Sequence, residues 1–143
     1  MREILFRGKR IDNGEWVEGY YYKAKYYRND MVLRDYITIP YPTEQNRGSD
    51  HFIVIPETAG QYTGLTDKNG NKIFEGDIVA GAVWWQETAK NGVVAFRDGS
   101  FGLIWYRGEI EQFNAFTSMC NITYEVIGNI HDNPELLKGG AEE

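Results

Sequence analysis

Residues 93–104 read VVAFRDGSFGLI, two apolar runs that meet at an Asp-Gly pair. Such a pair between alternating residues is a strong hairpin signal, because a type I′ turn needs positive φ at both central residues. Folding the chain at Asp98-Gly99 places Phe96 opposite Phe101. The same register places Val94 opposite Leu103 and Val93 opposite Ile104. Both faces of this hairpin are apolar, so we predict that it lies centrally in a β-sheet.

Two Asn-Gly pairs predict two further hairpins by the same argument. A turn at Asn13-Gly14 places Ile11 opposite Trp16, Lys9 opposite Glu18, Arg7 opposite Tyr20 and Leu5 opposite Tyr22. A turn at Asn69-Gly70 places Asp67 opposite Lys72, Thr66 opposite Ile73 and Leu65 opposite Phe74. Both registers bring complementary side chains together, which favours an antiparallel fold.

The end of the chain predicts a strand followed by a helix. Residues 123–130 are rich in β-branched and aromatic side chains, and Gly128 within them indicates a bulge or a close backbone approach. Asn133 then stands at an N-cap position, Pro134 at the first helical position and Gly139 just past the end. We therefore expect one short C-terminal helix.

The remaining segments set the architecture. Residues 108–116 fit neither the helical nor the strand period, so helix and strand both remain possible there. Residues 40–50 are polar and contain two prolines, which predicts an exposed loop. Short, closely spaced strands without long βαβ crossovers indicate a mainly β, partly open (SH3-like) barrel. We divide the chain into an N-terminal β-hairpin segment packed on the barrel (1–59), the barrel with its helix (60–138) and a disordered tail (139–143).

Charge and targeting signals limit the function classes. The formal net charge is −6, and all of the excess acid lies after residue 60. This balance disfavours indiscriminate nucleic-acid binding, because affinity for phosphates comes from clustered Lys and Arg. The N-terminus is charged and holds no signal-peptide core, and no stretch is apolar enough to span a membrane. The lone Cys120 cannot form an internal disulfide. We expect a cytoplasmic protein that contacts no membrane.

Three segments carry a family resemblance. Residues 61–79 read QYTGLTDKNGNKIFEGDIV, residues 124–136 read YEVIGNIHDNPEL, and residues 2–7 read REILFR. Together they resemble the signature of the YopX family, small proteins encoded by phages and prophages. The resemblance implies a phage or prophage origin in a bacterial host and a mainly β fold, but no chemistry. The chain departs from the family pattern at 11–59 and 80–120.

Three carboxylates near the second hairpin are the candidates for metal binding or acid–base work. They are Asp67, Glu75 and Asp77. Turn formation explains them better, because the glycine after Asp67 stands at the fourth position of the loop rather than the sixth that a calcium loop requires. We therefore expect no metal and no cofactor. A hydrolase or nuclease that uses Glu75 and Asp77 is the third-ranked hypothesis.

Aromatic clusters are the candidates for a binding surface. They are Tyr20, Tyr21, Tyr22, Tyr26, Tyr27, Trp84 and Trp85. Adjacent strand residues point to opposite faces, so each pair places a ring on each side of a sheet. One side is then either a second core or an exposed contact surface, and interfaces favour such rings.

The leading hypothesis is a non-catalytic phage accessory protein that assembles with itself, or that binds a host or phage protein. The alternative is a nucleic-acid-associated barrel with tyrosines as a stacking platform. Its basic residues are Arg7, Lys9, Arg10, Lys23, Lys25 and Arg28. We expect a homo-oligomer in which residues 16–27 contribute to the contact.

Overall fold

The computed structural model describes residues 3–25, 30–40, 48–80, 91–116 and 124–139. Its strands are β1 (Phe6–Lys9), β2 (Trp16–Lys25), β3 (Leu33–Pro40), β4 (Ser49–Val54), β5 (Gly60–Thr66), β6 (Lys72–Phe74), β7 (Asp77–Ala80), β8 (Gly92–Arg97), β9 (Ser100–Arg107), β10 (Ile110–Ala115) and β11 (Glu125–Asn129). A short 3₁₀ helix covers Pro56–Thr58, and an α-helix, α1, covers Glu135–Gly139. The prediction of a mainly β fold is confirmed.

The chain divides into two compact units, Met1–Tyr62 and Thr63–Glu143. We call them unit 1 and unit 2. The division falls inside β5 (Gly60–Thr66). The strands are antiparallel in every pair whose register is described, and the described sheets do not close into a barrel.

Unit 1 contains a sheet in the order β4-β3-β2-β1-β5. The sheet curls, so that the end of β4 returns to the end of β1. An isolated bridge joins Arg10 to Val54 there, with the Ile11 N–H donating to the Ile53 carbonyl at 3.0 Å. The bridge buries the Val54 side chain, which is 1% exposed.

The first hairpin has a different register from the predicted one. Phe6 stands opposite Gly19, Arg7 opposite Glu18, Gly8 opposite Val17 and Lys9 opposite Trp16. The loop has four residues, because the Arg10 N–H donates to the Glu15 carbonyl at 2.8 Å and closes it there. Gly14 has a φ of 73°, whereas Asn13 does not adopt positive φ and its side chain accepts the Glu15 N–H at 2.9 Å. A type I′ turn is thereby excluded, and the predicted pairs are wrong by two residues.

The interior face of unit 1 relies on close strand contact. Ile37 is fully buried. A Cβ added to Gly19 would collide with the Thr38 carbonyl and would lie 3.0 Å from the Ile37 side chain. A Cβ added to Gly8 would lie 2.9 Å from the Val54 side chain. Glycine at these two positions lets the curled strands approach each other.

Unit 2 contains a five-stranded sheet in the order β10-β9-β8-β7-β11. One face carries a cluster of buried side chains against which Leu65, Phe116 and Val126 pack. The cluster consists of Ile73, Val79, Val94, Leu103, Trp105 and Tyr124. Full burial of an aliphatic side chain contributes about 1.5–3 kcal/mol, so this cluster is the main stabilising feature of the unit.

The Asp98-Gly99 hairpin is confirmed in its turn and its register. Phe96 stands opposite Phe101, Val94 opposite Leu103 and Val93 opposite Ile104. Asp98 and Gly99 have φ values of 50° and 82°, as a type I′ turn requires. Strands β8 and β9 each have a neighbour on both sides, so the predicted central position is also confirmed.

The Asn69-Gly70 hairpin joins β5 to β6 as predicted, but a different pair closes it. The Asp67 N–H donates to the Asn71 carbonyl at 2.8 Å, and the Gly70 N–H donates to the Asp67 carbonyl at 3.0 Å. The loop therefore has three residues, and Gly70 takes the left-handed position with a φ of 82°. The predicted closing pair of Asp67 with Lys72 is wrong by one residue.

Residues 108–116, for which the sequence allowed helix or strand, contain the strand β10. Arg107 stands opposite Ile110, so a two-residue turn at Gly108-Glu109 connects it to β9. Gly108 has a φ of 65°, while Glu109 does not adopt positive φ, which is the type II′ pattern. Gly-X at the centre of a hairpin was the local signal for this turn.

The predicted C-terminal strand and helix are both present. The pairing of β11 with β7 shifts register between Val126 and Gly128, which is the predicted irregularity. A Cβ added to Gly128 would lie 2.6 Å from Asn133 Oδ1 and 2.9 Å from Leu136 Cδ1, so α1 packs on this bare backbone. The helix runs to Gly139 instead of ending before it. The centre of the predicted 40–50 loop and most of the predicted tail lie outside the described residues.

Candidate functional site: an aromatic face on unit 1

Strand alternation in β2 separates the three consecutive tyrosines. Tyr20 pairs with Thr38 and Tyr22 with Tyr36, so these side chains share one face of the sheet. Tyr21 lies on the opposite, interior face. We call the first side the aromatic face and define it by Trp16, Tyr20, Tyr22 and Tyr36.

Tyr21 is held within unit 1. Its ring lies 5.2 Å from that of Phe6, and its hydroxyl donates to Oδ2 of the buried Asp35 at 2.6 Å. Burial, followed by the hydrogen bond to Asp35, raises the pKa of Tyr21 to about 12. Its hydroxyl is thus committed to an internal bond, which makes Tyr21 the least suited of the three to an external contact.

Tyr22 belongs to a three-ring cluster. It stacks on Tyr36 with a centroid distance of 5.1 Å and an interplanar angle of 12°, and its hydroxyl lies 2.7 Å from His51 Nδ1. The His51 ring meets it edge-on at 5.8 Å. Tyr36 beneath is only 5% exposed. Two contacts therefore fix the orientation of Tyr22.

Trp16 forms a second cluster on the same face. The Arg7 guanidinium lies 4.8 Å from the centroid of its ring, and the Lys9 ammonium lies 5.9 Å away. Both distances are typical of cation–π contacts, which contribute about 0.5–1 kcal/mol at exposed sites. Glu18 stands directly opposite Arg7, so the surface between Trp16 and Tyr20 carries both signs of charge.

Tyr20 lies between these two clusters along β2 and is 56% exposed. Successive residues on one face of a strand are about 7 Å apart, so a partner can contact Trp16, Tyr20 and Tyr22 along one line. Sequence reasoning had selected Tyr20 and Tyr22. It had also placed Trp16 in the expected contact segment, 16–27, but it had missed Tyr36 and His51, because strand register rather than sequence proximity brings these two beside Tyr22.

The five described basic residues of the nucleic-acid hypothesis do not form one patch. Arg7 and Lys9 lie on the aromatic face, whereas alternation places Lys23 and Lys25 on the other side of β2. Arg10 makes a bidentate ion pair with Asp12, at 3.0 and 2.6 Å, and stacks over Phe52 at 4.4 Å. Several candidates fall outside the described residues, namely Tyr26, Tyr27, Arg28, Trp84 and Trp85.

The Asp67 carboxylate organises a turn of unit 2. Its Oδ1 accepts the N–H groups of Asn69 at 2.9 Å and Asn71 at 2.8 Å, and its Oδ2 accepts the Val126 N–H at 2.9 Å. Burial alone would raise the pKa of Asp67, but the N–H groups of Val126, Asn71 and Asn69 outweigh it and hold that pKa below its usual value. The carboxylate thus joins the β5–β6 turn to β11.

The other two carboxylates lie in the following turn. Asp77 is 2% exposed, and its Oδ2 accepts the Phe74 N–H at 2.7 Å, while Glu75 is half-buried. Among the described residues, no group of three or more His, Cys, Asp or Glu is placed to hold a metal ion. The part of the chain that the structure describes also contains no helix long and apolar enough to cross a membrane.

Comparison with known proteins supplies the family. The model of the family described as YopX protein matches residues 5–138. Among solved structures, the crystal structure of protein EF1440 from Enterococcus faecalis is similar, with a TM-score of 0.54 and 27% sequence identity over 96% of this chain and 99% of that chain. No curated protein matches the sequence. Because the family match extends over nearly the whole chain, this protein belongs to the YopX family.

Proposed function

We propose that this protein is a non-catalytic binding module that assembles with a second copy of itself through the aromatic face of unit 1. The observation that carries the proposal is the exposure of Tyr20, at 56%, between two ordered ring clusters. In keeping with the family resemblance, we place its action in the cytoplasm of a bacterial host of a phage.

The rings on either side of Tyr20 are already held in place. The Tyr36 stack and the His51 hydrogen bond fix Tyr22, and Arg7 covers one side of Trp16. Ordering a rotamer-rich side chain on binding costs about 0.5–1.5 kcal/mol, and a pre-ordered ring avoids most of that cost. Tyr, Trp and Arg are also the residues that contribute most to binding energy at interfaces.

The charge pattern supports a protein partner. Glu18 lies in the middle of the face, opposite Arg7 and two residues from both Trp16 and Tyr20. A carboxylate there repels phosphate, which favours a protein surface over a nucleic acid as the partner. Closed homo-oligomers are the commonest assemblies of soluble proteins.

Carboxylate geometry supports a non-catalytic role. A general acid or base needs a carboxylate that is available to a substrate proton. Asp67 and Asp77 instead accept backbone N–H groups within their own turns.

A specific observation favours one second candidate, the binding of single-stranded nucleic acid. Arg7 and Lys9 lie beside the Trp16 ring, on the face that exposes Tyr20. Stacking of a base on an aromatic ring is worth about 1–3 kcal/mol, and phosphate contacts add salt-dependent affinity. Binding of a labelled oligonucleotide that vanishes at moderate salt would support this candidate.

The test of the leading proposal compares two tyrosines of similar exposure. Tyr20 is 56% exposed on unit 1, and Tyr106 is 50% exposed on unit 2. Light scattering on a sizing column should give a mass above 16.5 kDa for the parent. Tyr20→Glu should return the mass to that of one chain, because it buries a charge in the contact, whereas Tyr106→Glu should leave the assembly intact. A monomeric parent at micromolar concentration contradicts the proposal.

A further inference from the structure

The outer edge of β4 pairs with a short segment of the same chain, residues 9–11, at its C-terminal end. The Ile11 N–H donates to the Ile53 carbonyl at 3.0 Å, and the Ile55 N–H donates to the Lys9 carbonyl at 2.8 Å. These bonds frame the bridge between Arg10 and Val54. This edge of β4 therefore has the geometry of antiparallel pairing at its C-terminal end.

The pairing does not continue toward the start of β4. After Ile11 the chain turns into the four-residue loop that Glu15 closes. Successive residues of a strand direct their N–H and C=O groups to opposite sides, so His51 directs its groups to the same side as Ile53. Among described residues, β4 pairs only with β3 and, at Val54, with Arg10. The edge at His51 is where a further strand could pair.

A groove of about 290 Å³ lies at this position. It is lined by Arg10, Ile11, Asp12, His51, Phe52 and Ile53. Ile11 is 63% exposed, although it is a large aliphatic residue. The groove is large enough for one apolar side chain of an extended peptide, and it lies beside the outward-facing backbone groups of β4.

The groove carries little uncompensated charge. Apart from His51, Arg10 is the one basic residue among the described residues that line it, and Asp12 binds the Arg10 guanidinium in bidentate fashion, at 3.0 and 2.6 Å. The Arg10 guanidinium also lies over the Phe52 ring, at 4.4 Å from its centroid. An acidic ligand would meet Asp12, so the lining favours an uncharged, apolar side chain.

We infer that β4 binds an extended segment of a partner protein as an added strand, with one apolar side chain of that segment in the groove beside Ile11. The added strand continues the pairing that Lys9 and Ile11 begin. Main-chain bonds to His51 supply affinity, and the groove supplies specificity, as in other strand-addition complexes. The groove adjoins the aromatic face, because His51 lines the groove and also bonds to Tyr22, but neither proposal requires the other.

The test removes one backbone donor. His51→Pro lacks the N–H that faces the added strand, and proline is tolerated on a strand edge where it faces outward. His51→Ala loses the same ring and the bond to Tyr22 but keeps the N–H, so it is the matched control. Ile11→Asp is a second variant, since it places a charge in the groove without altering a backbone bond.

The probe is a displayed library of short random peptides, screened against the full-length protein. Selected peptides should carry an apolar residue at one position, and by fluorescence anisotropy they should bind His51→Ala more tightly than His51→Pro. His51→Pro and Ile11→Asp should each weaken binding by about tenfold or more, the value expected for loss of one hydrogen bond or of apolar burial.

Three outcomes overturn the inference. One is a library that yields no peptide, and another is a selected peptide that binds His51→Pro as tightly as it binds His51→Ala. The third is a parent dimer whose mass falls to one chain in His51→Pro but not in His51→Ala, because the edge would then pair with a second copy. If His51→Pro loses its β-sheet circular dichroism, the Ile11→Asp result decides.

Discussion

Replacing Asp67 with alanine tests whether this carboxylate holds unit 2 together. The side chain is 2% exposed and accepts three backbone N–H groups, those of Asn69, Asn71 and Val126. Asn69 and Asn71 are exposed, so water can replace the carboxylate there at a cost of about 0.5–1 kcal/mol each. The Val126 N–H is part-buried in β11, and leaving it without an acceptor costs about 1–3 kcal/mol.

We therefore expect Asp67→Ala to lower the free energy of unfolding by about 2–5 kcal/mol, measured by urea unfolding with tryptophan fluorescence. Lys68→Ala is the control, because Lys68 makes a long surface ion pair of 3.8 Å with Glu125. Exposed pairs of this kind contribute about 0–1 kcal/mol. A loss below about 0.5 kcal/mol in Asp67→Ala would refute the reasoning.

The same residue makes a pH prediction. The pKa of Asp67 is lower in the folded chain than its ordinary value of 3.8. Its contribution to stability is thus fully present above that value and is lost as the pH falls through the folded pKa. Asp67→Ala should lose less stability on acidification than the parent does.

A melting temperature that rises with added calcium in the parent, and not in the variant, would instead indicate a metal site at Asp67.

Two further predictions concern unit 1. The pKa of Tyr21 rises from 10.0 to about 12, so the folded state holds this proton more tightly, and the free energy of unfolding should fall between these two pH values. Tyr21→Phe should remove that fall, and an unchanged alkaline profile in Tyr21→Phe would contradict the assignment. Gly19→Ala should cost about 1–3 kcal/mol in urea unfolding, because the new Cβ collides with the Thr38 carbonyl. An unchanged midpoint would mean that β2 and β3 are farther apart at Gly19 than the structure has them.

Two hairpins show where sequence reasoning succeeds and where it does not. The Asp98-Gly99 register followed from two residues, because both take positive φ and the turn has no further freedom. Asn13-Gly14 offered the same signal. There, however, the Asn13 side chain accepts the Glu15 N–H and only Gly14 takes positive φ, so the loop has four residues. The competing hydrogen bond of an Asn side chain is local, but a dipeptide rule does not include it.

The candidate surface was harder to predict for a different reason. The alternation of β2 correctly separates Tyr21 from Tyr20 and Tyr22, since that follows from a period of two. The bond between Tyr22 and His51 joins residues 29 positions apart and depends on the register of β2, β3 and β4 together. A single sequence gives no register between strands that a long loop connects, so the cluster could not be foreseen.

The family signature describes the scaffold rather than the surface. Its segments 61–79 and 124–136 meet in unit 2 through backbone bonds, as the Lys68 N–H donates to the Tyr124 carbonyl at 3.0 Å and the Ile130 N–H to the Gly76 carbonyl at 2.9 Å. Asp67 adds a third link between them. The family match extends over residues 5–138, so it includes the aromatic face and the β4 edge as well as these links. The backbone bonds between the two segments account for how unit 2 folds, whereas binding by unit 1 depends on exposed side chains such as Tyr20 and Ile11.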